Sequence, residues 1–217
     1  MQEYDQISYI LGDSIARKWL KNQCKAQLDE LRKIERRRAK SRIELVCIDE
    51  HAAFLDTETT GLDEKAEVVE ISILDYEGNP LLDTLIKPVD PIPQEATKVH
   101  GITDEMVKDA PTILDVLPTI IEINQNYNWI IYNADYDVRV IMQSIQKRLF
   151  DNVFCAMTAY SDYHGEWNPK YNNYKWQSLE NAAKQLNVDI DAILGELHRA
   201  KKDVLVTIEV CKKIAEV

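Results

Sequence analysis

Two periodicities of apolar and polar positions run along the chain, and each predicts a different kind of element. From Ser14 to Arg42 there is no Gly or Pro, and Leu20, Cys24, Leu28, Leu31 and Ile34 recur at helical spacing, so a long helix capped by Ser14 is expected. Glu44 to Asp49 reads as a short apolar strand or linker and Asp49-Glu50-His51 as a turn, which divides the chain into an N-terminal helical extension, 1–50, and a domain, 51–217. The pattern then changes to strands. Ala52-Ala53-Phe54-Leu55 is an apolar run, Ala66–Asp75 and Leu81–Lys87 alternate, and Glu77-Gly78-Asn79-Pro80 turns between them, so an antiparallel meander is expected. Pro88, Pro91 and Pro93 predict a stiff extended loop, and Thr103 a cap for a helix starting at Asp104. Helical spacing returns over Pro111–Asn126, with Pro118 as a local flaw, and Trp129–Tyr132 is a short buried strand that feeds a helix through Val138, Val140, Ile141, Ile145 and Leu149. Residues 155–176 read as a polar loop holding Tyr160, Tyr163, Trp167, Tyr171, Tyr174 and Trp176. Helices are expected again over Ser178–Leu186 and through Val204, Leu205, Ile208, Val210 and Ile214.

Chemistry enters at the end of the first apolar strand. Side chains alternate along a strand, so Asp56 and Glu58 point one way and Thr57 the other, just before the Thr59-Thr60-Gly61 turn. Two carboxylates on a mostly buried strand require a counter-charge, and a divalent cation with oxygen ligands, Mg²⁺ or Mn²⁺, supplies one. A solvated strand edge is the competing reading. The apolar run before the acids favours the first, because open α/β sheets place ligands at the carboxyl ends of core strands.

Phe54-Leu55-Asp56-Thr57-Glu58-Thr59-Thr60-Gly61-Leu62 resembles the first motif of the DnaQ-like (DEDD) 3′-to-5′ exonucleases. Tyr132-Asn133-Ala134-Asp135-Tyr136-Asp137 is similar to the second, with Tyr132 in place of a His that bears on substrate contacts and Tyr136 in place of a Phe; Asp137 is the aligned acid, and Asp135 reads as a solvated or capping acid. His198-Arg199-Ala200-Lys201-Lys202-Asp203 matches the third, and its histidine places the chain with the DEDDh subgroup. The resemblance covers residues 54–203, about two-thirds of the chain. It implies an RNase H-like mixed five-stranded sheet flanked by helices, and it implies substrate contacts at Thr57, Gly61, Leu62, His100 and Asn133. For His100, a loop histidine that bonds backbone is the alternative. Asp56, Glu58, Asp137 and Asp203 suit two ions about 4 Å apart, with Asp56 bridging, Glu58 and Asp203 completing one shell and Asp137 the other. His198, with an ordinary pKa of about 6.5, is the expected general base. The expected reaction is release of nucleoside monophosphates from single-stranded 3′ ends, DNA before RNA. A non-catalytic nucleic-acid-binding module built on the basic helix is the alternative from another class.

Composition refines this picture. The net charge of −11 argues against a polyanion partner until its distribution is examined: residues 16–42 carry eleven Lys/Arg against three Asp/Glu, a balance of +8, leaving −19 elsewhere. A polyanion can meet the basic helix, and cations offset acidity near the site. The four cysteines, Cys24, Cys47, Cys155 and Cys211, are widely spaced and expected to be reduced. No apolar run approaches the ~20 residues of a membrane span and Met1–Asp5 lacks a signal-peptide pattern, so a cytoplasmic protein without a membrane partner is expected. The aromatics of 155–176 suit either base stacking or a small core under a loop. Association with a polymerase or with a second copy is left open.

Overall fold

A computed structural model describes residues 13–47, 49–150, 152–193 and 199–216. Helix α1, Asp13–Cys47, is followed by β1 (Ala52–Thr59), β2 (Val68–Asp75), β3 (Pro80–Leu85), α2 (Gln94–His100), α3 (Asp104–Val107), α4 (Ile113–Asn126), β4 (Asn128–Ile131), α5 (Ala134–Ile145) and β5 (Val153–Cys155). The remainder is α6 (Ala156–His164), the two-stranded hairpin β6 (Trp167–Asn168) and β7 (Asn173–Tyr174), α7 (Leu179–Gln185) and α8 (Ala200–Glu216). The five-stranded sheet has the order β3-β2-β1-β4-β5, with β1 in the centre. β1, β2 and β3 pair antiparallel, and β4 and β5 continue parallel to β1. This is the mixed, helix-flanked RNase H-like sheet that the motifs implied.

Strand alternation divides the core into two layers. Ala52 and Phe54 pack on one side, among residues of α1, α6, α7 and α8. Ala53 and Leu55 pack on the other, against α4 and α5. Trp129 of β4 anchors that second layer, fully buried and edge-on to Phe150 at 5.1 Å, a geometry worth about 1 kcal/mol beyond its area. Helix α4 begins in a reciprocal capping box between Thr112 and Asp115.

Several elements differ from the sequence expectation. The segment expected as a strand or linker from Glu44 is the end of α1, and Ala39, Ile43 and Cys47 are its buried residues. A four-residue spacing of apolar groups against the first core layer holds these turns helical, whereas Leu28, Leu31 and Ile34 further back are exposed. The proline-bearing loop ends at Pro93 and runs into α2, a helix not expected from the sequence, closed by Gly101 in the left-handed region at φ 75°, whose N–H donates to the Thr97 carbonyl. Residues 155–176 are not one loop. Tyr160 and Tyr163 are buried on α6, while Trp167, Tyr171 and Trp176 are exposed around the hairpin. Cys47, Cys155 and Cys211 are free thiols. Among the described residues no helix is long and apolar enough to cross a membrane.

Candidate active site

The face alternation of β1 determines where each acid points. Positions 52 and 54 face the α8 layer, so Asp56 and Glu58 continue that face. Asp203, on the first turn of α8, meets them there, and carboxylate oxygens of Asp56, Glu58 and Asp203 lie within 4.8 Å of one another. Thr57 points to the α5 layer instead. Its backbone N–H and its hydroxyl both donate to Asp137 Oδ1, at 3.1 and 2.7 Å. Asp137 is 3% exposed at the start of α5, where the helix dipole favours a negative charge. The four acids therefore close on the strand end from both faces, three on one side and Asp137 on the other.

The site is electrostatically incomplete. Burial, followed by repulsion from Asp137, Asp203, Glu58 and Glu70, holds the Asp56 carboxyl well above its ordinary value. Burial and then Asp203, Glu70 and Asp137 push Glu58 up to about 8, opposed by Arg199. Burial raises Asp137 to about 7 although its two bonds from Thr57 pull the other way. An all-oxygen donor set whose members resist ionising together fits a hard divalent cation. Asp56, Glu58 and Asp203 would hold it, with the remaining oxygen of Asp137 adjoining.

Glu58 and Asp137 bind protons more tightly folded than unfolded, so their contributions are complete below the ordinary carboxylate values of 4.5 and 3.8 and are lost as pH rises through about 8 and about 7, respectively. In chelator, the melting temperature is expected to fall between about pH 5 and pH 8, and Mn²⁺ at the upper pH is expected to restore it. Calorimetry at the two pH values, with and without Mn²⁺, checks both signs.

Two groups that sequence reading missed complete the wall. Glu70 lies opposite Glu58 across the β1–β2 pair and is 5% exposed. The Arg199 guanidinium grips it through Nε, at 3.1 and 3.0 Å to its two oxygens, and also through Nη2, while the Ala200 N–H donates to it at 3.0 Å. This clasp fixes the first turn of α8, and with it Asp203. Ser178, Leu179, Glu180, Ile190 and Val206 line a cavity of about 240 Å³ together with Asp56 and Asp203. Ser178 is at the same time the cap of α7, accepting from the Asn181 N–H.

The expected substrate-contact residues occupy different places. Leu62 is 82% exposed on the loop after β1, and Gly61 beside it faces open space. The Gly61 carbonyl accepts from Tyr136 at 2.7 Å and from Thr59 at 2.9 Å, and Arg139 donates to the carbonyls of Leu62 and Asp63, so α5 holds this rim in place. Asn133 is exposed, whereas His100 is 4% exposed and accepts from the Ile102 N–H through Nδ1 at 3.0 Å. Burial lowers the His100 pKa. Thr57 is buried against Asp137. Tyr132 is buried and donates to the Gln177 carbonyl at 3.0 Å, so it pins the turn ahead of Ser178. Asp135 is exposed in the first turn of α5, away from the cluster. His198 lies outside the described residues.

Residues 53–211 match the RNase T exonuclease family. The chain belongs to the DnaQ-like exonucleases. This exonuclease is 40% identical over 179 residues to the uncharacterized exonuclease CP81 of Escherichia phage 186, covering 78% of this chain and 90% of that protein. It is 30% identical over 172 residues to the PolC-type DNA polymerase III of Caldanaerobacter subterraneus subsp. tengcongensis, which covers 74% of the exonuclease but only 11% of the polymerase. Among solved structures it is similar to exonuclease X in complex with 5′-overhanging duplex DNA, with a TM-score of 0.57 and 26% identity over 76% of this chain and 91% of the other. A nuclease activity follows from this membership.

Proposed function

We propose that the protein is a divalent-metal-dependent 3′-to-5′ exonuclease that hydrolyses DNA phosphodiesters and releases nucleoside monophosphates. The observation that carries this is the convergence of Asp56, Glu58 and Asp203 oxygens within 4.8 Å at the strand end, beside Asp137. Two divalent cations bound there would supply the Lewis acidity that stabilises charge developing on the phosphate. The chain's own groups do the rest. Asp56, Glu58, Asp137 and Asp203 would hold those cations at the strand end, on the cavity walled by Ser178, Leu179 and Val206. His198, adjacent in sequence to the clasped Arg199, takes the proton from the attacking water as general base. Leu62, held out on its braced loop, meets the terminal base, with Gly61 and Asn133 at the same rim.

DNA is favoured because a polymerase of similar sequence is named DNA polymerase III and the similar exonuclease X structure holds duplex DNA. The same likeness motivates association with a polymerase. The test is digestion of 5′-end-labelled single- and double-stranded DNA and RNA with Mg²⁺, with and without chelator. A ladder shortening one nucleotide at a time from the 3′ end of single-stranded DNA, abolished by chelator, is expected. Preferential digestion of RNA would overturn the substrate assignment, internal cutting the exonucleolytic one, and chelator-resistant digestion the metal assignment.

A further inference from the structure

The hairpin presents aromatic surface that the fold does not use. Trp176 is 67% exposed and Tyr171 65%, whereas Tyr160 and Tyr163, a few residues earlier, are buried. A tryptophan left two-thirds in water forgoes most of its burial free energy, so packing does not account for its place. The surface has three further properties. Tyr171, Tyr174 and Trp176 line a recess of about 690 Å³ with Asn168, Asn173 and Lys175. It abuts the basic helix: Tyr174 donates to Glu35 of α1, Arg32, which also meets Asp29, lies one turn earlier on that helical face, and Lys170 lies over the Tyr171 ring at 4.9 Å. Its chain also runs straight into the wall of the acid cavity: Trp176 is separated from Ser178 by Gln177 alone, a path of no more than about 7 Å.

Planar aromatic faces, cationic side chains beside them and closeness along the chain to the acid cavity together select one occupant. We propose that the recess of the hairpin, beside α1, binds the unpaired strand upstream of the 3′ end, its bases stacking on Trp176 and Tyr171 and its phosphates facing the cationic side of α1 around Arg32. The +8 balance of residues 16–42 provides the complementary charge in a chain that is otherwise acidic. This rests on the exonuclease reading and extends it from the cleaved bond to the strand behind it. The basic helix and the exposed aromatics of the sequence thereby acquire one shared role.

The test uses the full chain, in chelator, with fluorescein-labelled oligothymidylate of fifteen nucleotides, and separately, with Mg²⁺, turnover of the p-nitrophenyl ester of thymidine 5′-monophosphate, which reaches only the catalytic cavity. Trp176→Ala is expected to weaken oligomer binding about tenfold, and the double variant with Tyr171→Ala more. Ester turnover is expected to stay at the wild-type level, and Trp176→Phe to recover most of the binding. Unchanged oligomer affinity in the double variant overturns the proposal while leaving the exonuclease reading intact. Loss of ester turnover together with binding, with no rescue by Phe, also overturns it, because the hairpin is then structural. A wild-type dimer in sedimentation that the double variant dissolves would overturn it too, showing a second copy as the occupant. A wild-type protein that cleaves neither the ester nor DNA sinks the exonuclease reading itself.

Discussion

Asp56→Asn is expected to reduce nuclease turnover by at least about 10²–10³-fold while raising the melting temperature of the metal-free protein. Both effects come from the same crowding. Asp56 faces Asp203 and Glu58 on its own side of the sheet and is repelled also by Asp137 and Glu70, so its ionised form is disfavoured until a cation arrives. The amide keeps the volume and removes the charge, which relieves the repulsion and leaves one ligand oxygen without its charge. A residue that merely packed would lose stability and activity together. Opposite signs, read by calorimetry in chelator and by single-turnover digestion in Mg²⁺, are the mark of a site assembled for a cation. Loss of both would contradict it.

Arg199→Ala is expected to destabilise the fold by about 2–3 kcal/mol, somewhat under the full loss for a buried pair because the guanidinium is about one-third exposed. The variant leaves Glu70 buried opposite Glu58 without its two-pronged partner. Glu58 loses the positive charge of Arg199 that lowers its pKa, so the pH at which activity rises should also move upward. Arg199→Lys should recover charge but not the fork, and so only part of the stability. The neighbouring Lys201–Asp83 pair, with the lysine half exposed, serves as the control: Lys201→Ala should shift stability by less than about 1 kcal/mol. Urea titration of the three variants, with a pH–rate profile for the first two, checks the ranking. An Arg199→Ala protein as stable as Lys201→Ala would contradict the account.

What could be read from the sequence follows from what is local. Alternation along β1 places Asp56 and Glu58 on one face, and the structure keeps them there. The same rule sends Thr57 to the opposite face, yet nothing local says that Asp137 waits for it there, 80 residues away. The Glu70–Arg199 clasp joins residues 129 apart, beyond the reach of any local pattern. The last turns of α1 look strand-like in sequence because Ile43 and Val46 are β-branched in an apolar run, although Ala39, Ile43 and Cys47 at intervals of four carry the helical signal. Helix α6 was hidden by the glycine and asparagines that follow it, which belong to the hairpin; its buried Tyr160 and Tyr163 have the spacing of a helix face. Propensity gave way to tertiary packing in both places.

The central claim is that β1, α5 and α8 gather their acids around divalent cations. Anomalous scattering from crystals soaked in Mn²⁺ tests this directly. The account predicts density between the carboxylates of Asp56, Glu58 and Asp203, with a second position toward Asp137. Crystals that bind Mn²⁺ elsewhere and leave this cluster empty would contradict it.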